Sequence, residues 1–271
     1  MISYKKIVPP LDDTVSKSYG LFDWQSFFSN VFYSNNQRIK QTGYNNNQVA
    51  FLRGYVVSHI SQDLGDFAEA LRESDNVKLR TKTGSMFAWI FALANELEED
   101  LEDIIYDKYP GFCPYCGHKY HCQCAWWLPS QIKKGKDRIH TKPIEDNESP
   151  HTKPNQLSGW ITTWELIYGK KYKIAMTVAD IMYKLLEEEA EILEELDKAK
   201  GGQLNRDEPY YKKLTREVAD FVSWYFALLY KLQQDLPPDQ LSKILYEKFK
   251  DGCPWCKEQI CKCYPKWLEE S

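Results

Sequence analysis

The chemistry of this chain concentrates in two short acidic stretches. Glu188 and Glu191 stand three apart in the run 185–193, and Glu217 and Asp220 stand three apart in the run 214–221. On a helix, that spacing puts both members of a pair on one face. Two such helices packed antiparallel would bring four carboxylates to one spot, a donor set suited to hard divalent cations and, through them, to phosphates. Glutamates on helices are often no more than a solvated face, so their phase decides. At about 100° per residue, Glu188 falls between Ile181 and Ile192 inside the apolar stripe, with Glu191 just off its edge. Glu217 falls between Phe221 and Trp224, with Asp220 at the margin. Buried carboxylates need a compensating cation, and few basic residues share these faces, the nearest, Arg216, pointing elsewhere on the wheel. An all-oxygen donor set favours Mg²⁺ or Mn²⁺. Glu187 or Glu189, if left unligated, could accept a proton from an attacking water. Glu189 and Glu195 lie close enough to the stripe to add a ligand or a base, which leaves the ligand count open.

The eight cysteines form a second constellation. They fall in two clusters, Cys113, Cys116, Cys122 and Cys124, then Cys253, Cys256, Cys261 and Cys263. Each reads C-P-aromatic-C and then C-x-C, and four thiolates within a dozen residues suit one tetrahedral zinc ion. Four sulfurs leave no open position for water, so the expected role is structural, about two zinc per chain. Two disulfides per cluster are the alternative, disfavoured in a reducing compartment. His118 and His121 lie inside the first cluster and could replace one sulfur.

The clusters also expose a repeat. Ile104, Tyr106, Lys108 and Tyr109 match Ile244, Tyr246, Lys248 and Phe249 at the offset that relates Cys113 to Cys253, and Trp127-Leu128 matches Trp267-Leu268. At a slightly smaller offset Trp89 matches Trp224, and Val31-Phe32-Tyr33 answers Leu166-Ile167-Tyr168. The expected organisation is a half over 1–128 with a knuckle at 113–124, a polar linker or loop over 129–159, and a second half over 160–271 with a knuckle at 253–263. Apolar residues recur at three and four over 174–196 and 214–232, Pro237-Pro238 breaks the chain, and a shorter helix follows over 240–249. No strand pattern of useful length accompanies them. The expected fold is all-α, a tandem pair of small helical bundles each ending in a zinc knuckle.

Hydrophobic residues make up 43 % and aromatics 14 %, ample for a packed core. The net charge of −4 argues against nucleic acid or an anionic membrane as the main partner. No apolar run approaches the ~18 residues of a membrane span, and the start lacks a signal-peptide pattern, so a cytoplasmic protein is expected.

Leu186-Glu187-Glu188-Glu189-Ala190-Glu191 followed by Glu217-Val218-Ala219-Asp220 resembles the E-E-x-x-E…E-x-x-D signature of MazG-like all-α nucleoside triphosphate pyrophosphohydrolases. Asp235-Leu236-Pro237 and Leu241-Ser242-Lys243 continue the likeness toward the dCTP pyrophosphatase branch, over about 168–249. The resemblance implies a four-helix bundle that holds Mg²⁺ through Glu188, Glu191, Glu217 and Asp220 and splits a nucleoside triphosphate into monophosphate and pyrophosphate. It implies that Trp224 stacks on the base, or serves as plain core, and that Lys243 contacts phosphate; where the family often has asparagine, this chain has Glu247. In the first half Lys82 and Ser85 stand where Glu217 and Asp220 would be, and Asp103 where Lys243 would be. A lysine among ligands opposes metal binding, so that half is expected to be catalytically degenerate, with Asp63, Asp66 and Trp89 as candidate pocket walls. Family members commonly work as dimers, so a homodimer is also open. A non-catalytic binding protein is the competing reading, with Tyr115, Lys119, Trp255 and Lys257 of the knuckles contacting a nucleic acid or protein.

Overall fold

A computed structural model describes residues 5–33, 46–124, 153–199 and 204–263. Among them every regular element is helical and no strand occurs. In chain order these are α1 (Asp13–Ser16), α2 (Leu21–Phe28), α3 (Asn46–Glu73), α4 (Asn76–Leu97) and α5 (Leu101–Lys108), then α6 (Leu157–Trp164), α7 (Lys170–Ala175), α8 (Val178–Asp197), α9 (Pro209–Lys231) and α10 (Leu241–Phe249). Wide π turns extend α2 over Ser29–Tyr33 and α6 over Glu165–Gly169.

Local chemistry sets the boundaries. The periodicity over 174–196 predicted one helix, but the chain breaks at Met176 and Thr177. Thr177 caps α8, accepting from the Asp180 amide while its own amide donates to the Asp180 carboxylate at 2.7 Å. Pro209 opens α9 five residues before the expected start, because its missing N–H costs nothing in a first turn. Of the expected linker over 129–159, residues 129–152 lie outside the described residues, as do Trp127-Leu128 and Trp267-Leu268. The part that follows is ordered into the fold: Lys153 pairs with Asp103, and Leu157 begins α6 rather than closing a loop.

Two long antiparallel pairs, α3–α4 and α8–α9, make the body, with α8 also against α3. Trp24, Phe27, Phe28, Phe67, Phe87 and Phe91 belong to the same continuous core as Trp160, Trp164, Phe221, Tyr225 and Phe226. Tyr225 joins the pairs directly, meeting Phe67 and Phe87 edge-on and donating to the Thr83 carbonyl at 3.3 Å.

The short helices cross over. α5 packs on α9 and α10 packs on α4, so each carries its cysteine loop to the other long pair. Positions matched in sequence make matching contacts. His121 N–H donates to the Leu166 carbonyl at 3.0 Å, and Cys261 N–H to the Val31 carbonyl at 2.7 Å, both acceptors lying in the π turns, and Cys122 N–H adds a bond to the Ile167 carbonyl at 2.6 Å. Lys108 donates to the Arg216 carbonyl at 3.3 Å and Lys248 to the Thr81 carbonyl at 2.9 Å. Gly84 lets α10 lie this close, since a Cβ there would stand 3.1 Å from Cδ of Lys248.

Candidate metal centre and its counterpart

α8 and α9 bring three of the four nominated acids together. Oxygens of Glu188, Glu191 and Glu217 all lie within 4.8 Å of one another, with Glu188 and Glu217 buried. The Glu191 and Glu217 carboxyls crowd one another, like charges that favour a proton or a cation at the spot. Burial, with the Asp220 charge next, pushes Glu188 up to about 8 and Glu217 up to about 7. These oxygen donors fit a hard divalent cation, which would replace the proton.

Asp220 lies beside this trio, yet its carboxylate is taken up by Lys108 and the Tyr109 hydroxyl. Both come from the end of α5. Tyr115 of the first cysteine loop is half-buried there too, its hydroxyl pushed up by burial and then by the charges of Asp220, Cys113 and Glu188. Lys184 reaches Glu188 at 3.7 Å and pairs with Glu187, while Lys213 reaches Glu217 at 4.0 Å. The expectation that basic residues stay clear of these acids is therefore corrected. Lys184 and Lys213 each sit one turn before the acid they approach, and Lys108 arrives from 112 residues away. Lysines on this rim suit an anionic ligand drawn to a cation.

The other nominations divide. Glu189 leaves the trio for the α8–α3 interface, where Ser61 donates to it, and it is not placed to take a proton at the acids. Glu187 is half-buried and paired with Lys184. Glu195 is buried and held by Lys198 at 2.8 Å and Lys213 at 2.6 Å. Trp224 sits near the acids, with the Lys184 ammonium 5.8 Å from its ring centre. Lys243 does not join them: it is exposed on α10, a helix packed chiefly on α4, and lies 3.8 Å from Glu247. Lys108 was missed as a site residue; its match to Lys248 in the repeat was the available signal.

At the counterpart site on α3 and α4, Lys82 bonds Asp63 at 3.0 Å and pairs with Asp66. An internal ammonium there takes the place a cation would need. Asp63 and Asp66 are thus taken up by Lys82 rather than left open to a ligand. Trp89 lines a separate cavity of about 530 Å³ with Lys82, Lys248 and Trp255.

Both cysteine clusters could hold a metal, the four sulfurs of each lying within 4.8 Å of one another, with neither His118 nor His121 in the set. No disulfide forms, and Sγ atoms stand 3.5–3.8 Å apart in the first loop. Zn–S bonds of ~2.3 Å in a tetrahedron give sulfur–sulfur edges of about 3.8 Å. The thiols hydrogen-bond to one another, which pushes Cys113 down and Cys122 and Cys124 up, whereas a bound metal would hold all of them as thiolates. The loops share one backbone design, with Cys113 N–H donating to the His118 carbonyl and Cys253 N–H to the Glu258 carbonyl, each at 2.9 Å. Tyr115 is half-buried and Lys119 is buried, so the first loop does not present them to a partner, whereas Trp255 and Lys257 are exposed.

Among the described residues no helix is long and apolar enough to cross a membrane. Comparison of the chain with protein families, with curated proteins and with solved structures finds no match.

Proposed function

We propose that this chain is a Mg²⁺-dependent nucleoside triphosphate pyrophosphohydrolase, a MazG-like protein formed by duplication and cytoplasmic in location. The observation that carries the reading is the trio of Glu188, Glu191 and Glu217, two of them buried, with Asp220 and a rim of lysines beside it. Mg²⁺, or Mn²⁺ in its stead, would be held by Glu188, Glu191 and Glu217 and would supply charge neutralisation of the triphosphate and a water of lowered pKa. Asp220 would be available to that set if Lys108 and Tyr109 released its carboxylate, Lys108 turning to a phosphate oxygen. Lys108 and Lys184 then serve as phosphate contacts, the role Lys243 cannot fill from the far side of α10. Glu187, on the Lys184 side of the trio, is the remaining candidate to accept the water's proton. Trp224, whose ring lies 5.8 Å from the Lys184 ammonium, would meet the base.

The matched crossover contacts support the duplication, and the sulfur spacing supports structural zinc at both loops. In this reading α5 and the first loop, rather than α3 and α4, are what the first half lends to the reaction. Half-burial of Tyr115 and burial of Lys119 weigh against a binding protein that recruits nucleic acid through that loop. The test is hydrolysis of a panel of nucleoside triphosphates with Mg²⁺, read as monophosphate and pyrophosphate. Glu217→Gln should lower turnover ~100-fold or more, the loss expected for a group acting on the reacting charge. Turnover undiminished by that change would refute the assignment.

A further inference from the structure

The cavity on the first pair has chemistry of its own. His59 and Trp89 stack face to face, centres 4.2 Å apart and planes within 1°. Tyr55 meets His59 edge-on at 4.5 Å, and Trp255 leans over from the second cysteine loop, 6.5 Å from Trp89 and tilted by 42°. Trp255 is 69 % exposed, a large aromatic at the mouth of an aromatic-walled cavity. The volume of about 530 Å³ lies within the range of small-molecule sites, ~300–1,000 Å³.

Charge narrows the occupant. Lys82 is neutralised by Asp63 and Asp66. Lys248 is not: its ammonium donates to the Thr81 carbonyl at 2.9 Å and to the Ser85 hydroxyl, both neutral. Among the described residues no carboxylate stands within ion-pair distance of it. A half-buried ammonium whose hydrogen-bond partners are neutral, and on which the Asp63 charge acts only from beyond ion-pair distance, can still take an anion from the cavity it lines. Its burial pushes it down to about 8, the cost that an anionic ligand would relieve. Aromatic walls accept any flat ring, because every base has a π face.

We propose that this cavity is a second, non-catalytic site that binds a nucleoside monophosphate, with the base against Trp89 and Trp255 and the phosphate on Lys248. No metal is needed there, since the Lys82 ammonium already pairs with both Asp63 and Asp66. The proposal stands apart from the hydrolytic reading, and either can fail alone. If both hold, the product of the acid trio has a site on the opposite pair.

The test is isothermal titration of the full chain, without added Mg²⁺, against AMP, GMP, CMP and UMP, their nucleosides, and inorganic phosphate. At least one monophosphate should bind one per chain, about ten-fold or more tighter than its nucleoside. Trp255→Ala and Lys248→Met should each weaken it by about ten-fold or more, and Glu217→Gln should leave it unchanged. Trp255 is exposed, so its replacement keeps the test open should Lys248→Met unfold the chain. The proposal is overturned if no monophosphate binds at millimolar concentration, or if the nucleoside binds as tightly. It is equally overturned if Trp255→Ala has no effect while Glu217→Gln abolishes binding, which would place the ligand at the acids.

Discussion

Glu188 and Glu217 are carboxylates that the fold holds above their ordinary range, by burial first and by Asp220 second. A folded chain that binds a proton more tightly than the unfolded one is stabilised by it below the ordinary carboxylate pKa. That stability is lost as pH rises through about 7 and about 8. Thermal melts without added Mg²⁺ should therefore show Tm falling between pH 5 and 8, and Mg²⁺ should restore more of it at pH 8 than at pH 6. A Mg²⁺ effect that is equal at both would argue that no proton is displaced. Glu217→Gln should raise the Mg²⁺-free Tm at pH 8 by a few degrees while removing the Mg²⁺ response, because a neutral amide relieves the crowding but supplies a poor ligand. Helical phase alone placed Glu188 and Glu217 correctly in the interior. It could not show that Asp220 is engaged, since Lys108 and Tyr109 come from a distant helix. Nor could it show Glu189 turning to Ser61, because α8 has two buried neighbours and the wheel records only one stripe.

At the scale of elements, the crossover of α5 and α10 is the feature that spacing could not reveal. The cysteine pattern disclosed two loops of one design, and the matched residues pointed to a repeat, but a repeat does not say on which pair its last helix packs. That is decided by tertiary burial, here by the π-turn carbonyls of Val31 and Ile167 that receive the loops. For the same reason Lys243 was misplaced: a linear likeness over 168–249 assumes that α10 stays with its own pair. Metal analysis should find about two zinc per chain, and Cys116→Ser should lower this to about one. Because the first loop and α5 carry Tyr115, Tyr109 and Lys108 to the acids, Cys116→Ser should also cut nucleotide hydrolysis several-fold. Cys256→Ser, on the loop that covers the opposite cavity, should spare hydrolysis and weaken monophosphate binding. The reverse pattern would contradict the crossover.

At the scale of the whole molecule, the two long pairs share one core through Tyr225, Phe67 and Phe87. They should melt together in one cooperative transition, and Tyr225→Ala, which empties a fully buried ring site, should cost ~3–5 kcal/mol of that single transition. Two separated transitions in calorimetry would mean that the halves fold independently. One pair holds a carboxylate trio and the other an internal Lys82 with an aromatic cavity, so the proposed function requires a single centre for hydrolysis. The most direct measurement of that claim is the release of pyrophosphate and monophosphate from a nucleoside triphosphate panel with Mg²⁺, for the native chain beside Glu217→Gln and Lys82→Ala. The account predicts turnover of at least one triphosphate, a loss of ~100-fold or more with Glu217→Gln, and no comparable loss with Lys82→Ala. Absence of turnover on every nucleotide, or turnover that survives Glu217→Gln, would contradict it.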